Sequence, residues 1–402
     1  MSKTTYRAGR HFLQIPGPTP VPSRIERAML RPIIDHRSQQ FAEFSKGVLE
    51  GLKGVFKTKN PVIMFPASGT GAWEAALANT LSPGDKIVMF ETGQFSLLWQ
   101  AMARKLGIDV DYIASDWRVG VDANAIAERL AADKAHQIKA VAIVHNDTAT
   151  GCCSPVEEVR KALDAAGHPA LLMVDTVSSL ACVDYQHDGW GVDVTVCGSQ
   201  KGLMLPPGLA FTAVSDKALA ATKTAKLPRA FFSWNDMLEP NKNGFYPYTP
   251  GITVMYGLEE ALKMLNEEGL DNVFARHAKL ASGVRAAVNG WGLENQCRDA
   301  KYFSNTVTSI RMPEGHSADA FRKLVLENFN MSLGAGLSKV ADKVFRIGHL
   351  GDTNELTILG ALGGVEMGLE LAGVPHREGG VDAAMAEFGR WAKAKVDTAA
   401  AA

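Results

Sequence analysis

Val192-Asp193-Val194-Thr195-Val196-Cys197-Gly198-Ser199-Gln200-Lys201-Gly202 reads as a buried strand ending in a small-residue turn with a lysine near its tip. The run is β-branched and apolar, which suits a pleated interior surface. The Gly and Ser that follow break it. A second run, residues 170–174, ends in the same way, on Asp175. An amine and a carboxylate therefore fall at the carboxyl ends of two predicted strands, where open α/β sheets build their sites.

Working outward, further strand-like runs fall at 62–65, 86–90, 110–113, 140–144 and 209–214. Helical patterns lie between them, at 71–80, 95–106, 123–132 and 155–166. This alternation predicts a mainly parallel seven-stranded sheet sandwiched by helices. Residues 20–60 also carry helical spacing, and Pro16-Gly17-Pro18-Thr19-Pro20 closes an extended N-terminal arm. After a loop-rich stretch at 223–250, a long helical pattern covers 253–289. Strands at 306–311 and 344–348 then alternate with helices at 317–329 and 355–372. The expected organisation is an arm over 1–19, a large domain over 20–270 and a smaller α+β domain over 271–402.

Composition limits the function classes. The chain has 402 residues, so one core is too few. Lys and Arg total 42 against 43 Asp and Glu, leaving no basic field for nucleic acid. No apolar stretch approaches membrane-spanning length, and Met1 to Tyr6 lacks a signal-type apolar core. The end, Thr398 to Ala402, is alanine-rich and carries no Ser-Lys-Leu type address. The five cysteines include no Cys-x-x-Cys pair, and adjacent Cys152 and Cys153 suit neither zinc nor an ordinary disulfide. The expectation is a cytoplasmic protein with reduced thiols and no metal.

The chemistry gathers around a few turns. Ala67-Ser68-Gly69-Thr70-Gly71 joins a strand to a helix, where unpaired N–H groups and the helix dipole attract phosphate. An ordinary N-cap would read the same way. The dinucleotide fingerprint fails there, because Glu74 stands where Gly or Ala is needed. Asp175 could be a turn former, and Lys201 a solvated surface lysine. The three features together fit the needs of pyridoxal 5'-phosphate (PLP): a phosphate cradle, a carboxylate for the pyridine nitrogen and an amine for a Schiff base. Phe95 could stack on a flat cofactor or pack helix to sheet. Thr148, in His145-Asn146-Asp147-Thr148, could reach a ring hydroxyl. Arg346 sits inside an apolar strand and needs a partner, either a substrate carboxylate or a structural one. Arg37, in Asp35-His36-Arg37-Ser38, is a second candidate anion contact or a surface ion pair.

These motifs resemble the class V aminotransferases of PLP fold type I, and within them the serine–glyoxylate and alanine–glyoxylate aminotransferases. The resemblance rests on Pro16-Gly17-Pro18-Thr19, Asp35-His36-Arg37-Ser38, Pro66-Ala67-Ser68-Gly69-Thr70-Gly71, His145-Asn146-Asp147-Thr148-Ala149-Thr150-Gly151, Val174-Asp175, the lysine segment through Pro206, Tyr246-Pro247-Tyr248-Thr249-Pro250 and Phe345-Arg346-Ile347-Gly348. It implies that Lys201 forms the Schiff base and Asp175 pairs with the ring nitrogen. Val177 and Phe95 would cover the two ring faces. Ser68, Gly69, Thr70 and Gln200 would hold the phosphate, and Thr148 the ring oxygen. Tyr246 and Thr249 would reach the phosphate of a neighbouring subunit, which implies a homodimer with shared sites that could assemble further. Arg346 would bind the donor's α-carboxylate, with His36 and Arg37 of the partner near the donor side chain. Thr176 stands where relatives often have Gly or Ser, and Phe95 where some have Trp.

The implied activity is ping-pong transfer of an amino group from a small amino acid, L-serine first, to glyoxylate, giving glycine and hydroxypyruvate. Alanine, aspartate and ureidoglycine are alternative donors. Two further alternatives are a cysteine-desulfurase-like enzyme, with Cys297 as its one candidate nucleophile, and a non-catalytic binding protein.

Overall fold

A computed structural model describes residues 8–401, with side chains through residue 394. The first seven residues of the predicted arm, the end residue Ala402 and the tail side chains lie outside the described residues.

The central sheet has seven strands, in the order Val62–Phe65, Ala210–Val214, Val194–Gly198, Leu171–Asp175, Ile138–Val144, Lys86–Phe90 and Asp109–Ile113. Only Ala210–Val214 runs against its neighbours. Successive residues feed opposite faces, as the pleat requires. Val62 and Met64 join one apolar cluster, Ile63 and Phe65 the other. Strand Val194–Gly198 is buried along its whole length, because helices cover both faces of the sheet.

The predicted helical region at 20–60 divides into Ser23–Met29 and Gln39–Phe56. The second helix starts where the Ser38 hydroxyl accepts the Phe41 N–H at 3.1 Å. It buries Phe41, Val48, Leu52 and Val55. The single long helix expected at 253–289 is also two, Ile252–Glu268 and Leu270–Trp291, because Gly269 takes a φ of 81° between them.

A second sheet of five strands runs in the order Phe12–Gln14, Met331–Ala335, Val344–Gly348, Val307–Arg311 and Glu294–Asn295. Part of the expected arm is thus a strand, lying parallel to Met331–Leu333. Among the described residues no helix is long and apolar enough to cross a membrane.

Candidate active site

The ends of strands Leu171–Asp175 and Val194–Gly198 open onto a cavity of about 250 Å³. It is lined by Ser68, Gly69 and Thr70 at one end, by Phe95, Thr148 and Val177 along its walls, and by Asp175, Gln200 and Lys201. Residues far apart in the chain meet here because most of them lie at a strand end, in the turn just after it or at the start of the following helix.

The Lys201 turn is pinned by its own hydroxyl. Ser199 Oγ donates to Pro206 O at 2.8 Å and accepts from Leu209 N–H at 3.2 Å. The Pro16–Thr19 segment lies across the turn: Thr19 N–H donates to Gln200 O at 3.1 Å, and Lys201 Nζ donates to Pro16 O. Burial, and next the Arg346 charge, pull the Lys201 amine down to about 8. At pH 7 roughly a tenth of such an amine is neutral, against about one part in 3,000 for an ordinary lysine. The rate at which cofactor-free protein captures PLP should therefore climb with pH and level off above about 8. Stopped-flow absorbance checks this, and a rise continuing past pH 10 would contradict it.

Asp175 accepts the Val177 N–H at 2.7 Å and the Trp73 indole N–H at 3.0 Å. Burial still lifts its carboxyl to about 7. A cation placed against it would return it to the ionised form.

The helix Gly69–Thr80 begins at the cavity. Its N-cap, Ser68, makes no side-chain cap hydrogen bond, and the first N–H groups of a helix have no partner within it. Gln200 Oε1 and Asn146 Oδ1 are buried without partners. A side chain at position 69 would bring its Cβ within 2.5 Å of Val177 Cγ2, so only glycine lets this turn approach the wall. A helix N-terminus with unpartnered N–H groups, a flat aromatic wall, a buried acid and a low-pKa amine are the set that PLP requires, and the site fits it.

Arg346 stands beside the cavity. Its Nε donates to Ala335 O at 2.6 Å and Nη1 to Thr148 O at 2.9 Å. Burial lowers its pKa to about 10, while the charge of Asp147 opposes that. Among the described residues no carboxylate lies within ion-pairing distance of it.

Four sequence-derived candidates lie away from this cavity. Arg37 and Thr249 are exposed, His36 and Tyr246 half-buried, and Tyr246 packs against Phe41 at 6.2 Å. His145 is a satisfied interior histidine, with Nδ1 2.9 Å from Ser179 Oγ. Cys297 is buried and turned to Asp299 O at 3.6 Å, unlike a nucleophile on a mobile loop. Four lining residues were given no role from the sequence: Gly17, Trp73, Asn146 and Ser178. Trp73 stacks on Trp99 with centroids 5.9 Å apart, so its pattern is that of ordinary core.

With an amine, an acid and a phosphate-type helix start converging on one cavity, the comparison with known proteins is direct. The family model described as aminotransferase class-V matches residues 27–350. The chain belongs to the class-V aminotransferases, PLP-dependent transaminases of fold type I. It is 49% identical over 390 residues to the serine–glyoxylate aminotransferase of Methylorubrum extorquens, covering 96% of this chain and 97% of that one. It is 47% identical over 376 residues to the L-aspartate–glyoxylate aminotransferase of Paracoccus denitrificans, covering 93% and 95%. Among solved structures, the pyridoxamine–pyruvate aminotransferase of Mesorhizobium loti superposes with a TM-score of 0.89 at 26% identity, over 96% of this chain and 99% of that one.

Proposed function

We propose that this enzyme moves the amino group of L-serine to glyoxylate, releasing hydroxypyruvate and glycine. The observation that carries the chemistry is the convergence of Lys201, Asp175 and the Ser68–Thr70 turn on one cavity. The choice of acceptor and donor is supported by the relatives named above.

PLP, when bound, supplies the electron sink that stabilises negative charge at the substrate α-carbon. Lys201 is the covalent anchor for the cofactor. When free, its low-pKa nitrogen would take the substrate's α-proton as a base and then, as an acid, pass it on to a different carbon rather than back to the one it left. Asp175 would hold the ring nitrogen in its charged form, and the indole of Trp73 fixes the carboxylate that does so. Ser68, Gly69, Thr70 and Gln200 would take the phosphate. Val177 and Phe95 would close the two faces, and Thr148 would reach the ring oxygen. Arg346, held by two backbone carbonyls, presents its remaining N–H groups to the donor carboxylate. Arg346→Lys keeps the charge but loses the fork. Donor KM should rise about 10- to 100-fold while kcat changes little, by the usual worth of a charge-assisted hydrogen bond. Steady-state kinetics decide, and an unchanged KM would remove Arg346 from the donor site.

His36, Arg37, Tyr246 and Thr249 would complete the cavity of a second copy of the chain. Leu30 is 82% exposed and Ile33 70%, so the surface beside His36 and Arg37 is apolar and open. The assembly reading puts these residues in a homodimer interface. A cytoplasmic location is part of the same proposal.

Aspartate is the second donor to weigh, because a 47% identical relative uses it by name. Its extra carboxylate requires a further cation, which Arg37 would provide. Glycine formation from glyoxylate, measured with serine, alanine and aspartate in turn, separates them. Serine should give a kcat/KM at least about tenfold above the others, the size of effect one recognised hydroxyl contributes. A larger value for aspartate would overturn the donor assignment.

A further inference from the structure

Asp147 has no task in the chemistry above, yet it is completely buried beside the cavity. Its carboxylate works as a clamp between separate segments. Oδ1 accepts the Ala149 N–H at 3.0 Å, and Oδ2 accepts the Phe95 N–H at 3.1 Å. Oδ2 also lies 3.5 Å from both Ser96 N and Thr92 Oγ1. The helix Gln94–Lys105 begins here, and its N-cap is Gly93, which has no side chain to cap with. An anion from another segment takes that place, where the helix dipole favours negative charge. The fit is close: a Cβ at Gly93 would stand 2.5 Å from Asp147 Oδ1. Ser96 meanwhile bonds back to the Thr92 and Gly93 N–H groups, leaving the Phe95 N–H to Asp147.

Two neighbours of this clamp line the cavity, Phe95 and Thr148. The carbonyl of Thr148 also holds Arg346. We propose that Asp147 is the positioning residue of this site: by capping a helix it does not belong to, it sets the Phe95 ring against the cofactor face and fixes the Thr148 turn whose carbonyl holds Arg346. The inference rests on the PLP reading above. It assigns Asp147 a role through Phe95 and Thr148, with no contact to the substrate.

Two variants approach the clamp from opposite sides. Asp147→Asn keeps the shape and loses the paired acceptor. Gly93→Ala keeps the charge and pushes a methyl into the carboxylate. Both should fold, and in both the PLP-loaded enzyme should lose at least about half of its visible circular dichroism band, with PLP dissociating about tenfold more readily, as expected for one unsatisfied buried group. A capping role confined to stability would lower the melting temperature and leave the band and the PLP affinity as in wild type. That result, or failure of both variants to fold, overturns the inference. Failure of the underlying reading looks different, because wild-type protein would then bind no PLP.

Discussion

Lys201→Ala should abolish turnover, lowering transamination by at least about 10⁴-fold, the upper range for a lost general acid–base group. Two proposed functions are removed together, the covalent anchor and the proton carrier, and among the described residues no other lysine lines the cavity. The fold should survive. Lys201 Nζ makes a hydrogen bond to Pro16 O alone, while the turn is held through the Ser199 hydroxyl and the backbone of Thr19. Glycine production in the presence of serine and glyoxylate is the measurement. Activity within about tenfold of wild type would remove Lys201 from the chemistry.

Asp175→Asn should lower kcat by about 10³-fold, the scale for losing one preorganised electrostatic partner in a buried site. The amide keeps the shape and cannot hold a charged ring nitrogen. A pH signature accompanies it. Burial raises the folded-state pKa of Asp175 to about 7, above its value in the unfolded chain. Between the two values the folded state binds more protons, so the cofactor-free protein loses stability as pH rises through that window. The loss is absent below the unfolded carboxylate pKa and complete above about 7. Cofactor-free Asp175→Asn lacks this loss, so its melting temperature should gain on wild type as pH rises from 4 to 8. Parallel melting curves for the two proteins across that range would show that Asp175 is not a strained acid.

The features most legible in the sequence are local ones. Asp175 directly ends one buried run, and Lys201 follows another through the short Gly198-Ser199-Gln200 turn. The Ser68–Thr70 turn is legible for the same reason, since a strand stops at Phe65 and a helix starts at Gly69. Partners far apart in the chain leave no such trace. Strand Phe12–Gln14 is three residues long, too short for a periodicity, and its partner begins at Met331. Trp73 reaches Asp175 across 102 residues, and its helical setting reads as core. Asp147 caps a helix 52 residues before it, so no capping pattern marks that helix start. Gly269 lies between two helical patterns of the same phase, and only its positive φ divides them. His36, Arg37, Tyr246 and Thr249 are absent from the cavity of their own chain. Their proposed roles depend on a second copy, and neither composition nor spacing in one chain reports that.

Lys201 is proposed to carry PLP and to exchange it with an amino donor. The direct measurement is the visible absorption spectrum of PLP-loaded protein, recorded alone, after serine and after glyoxylate. A band from lysine-bound cofactor should fade on adding serine and return with glyoxylate. A loaded protein without that band, or a band that serine leaves unchanged, would contradict the proposal.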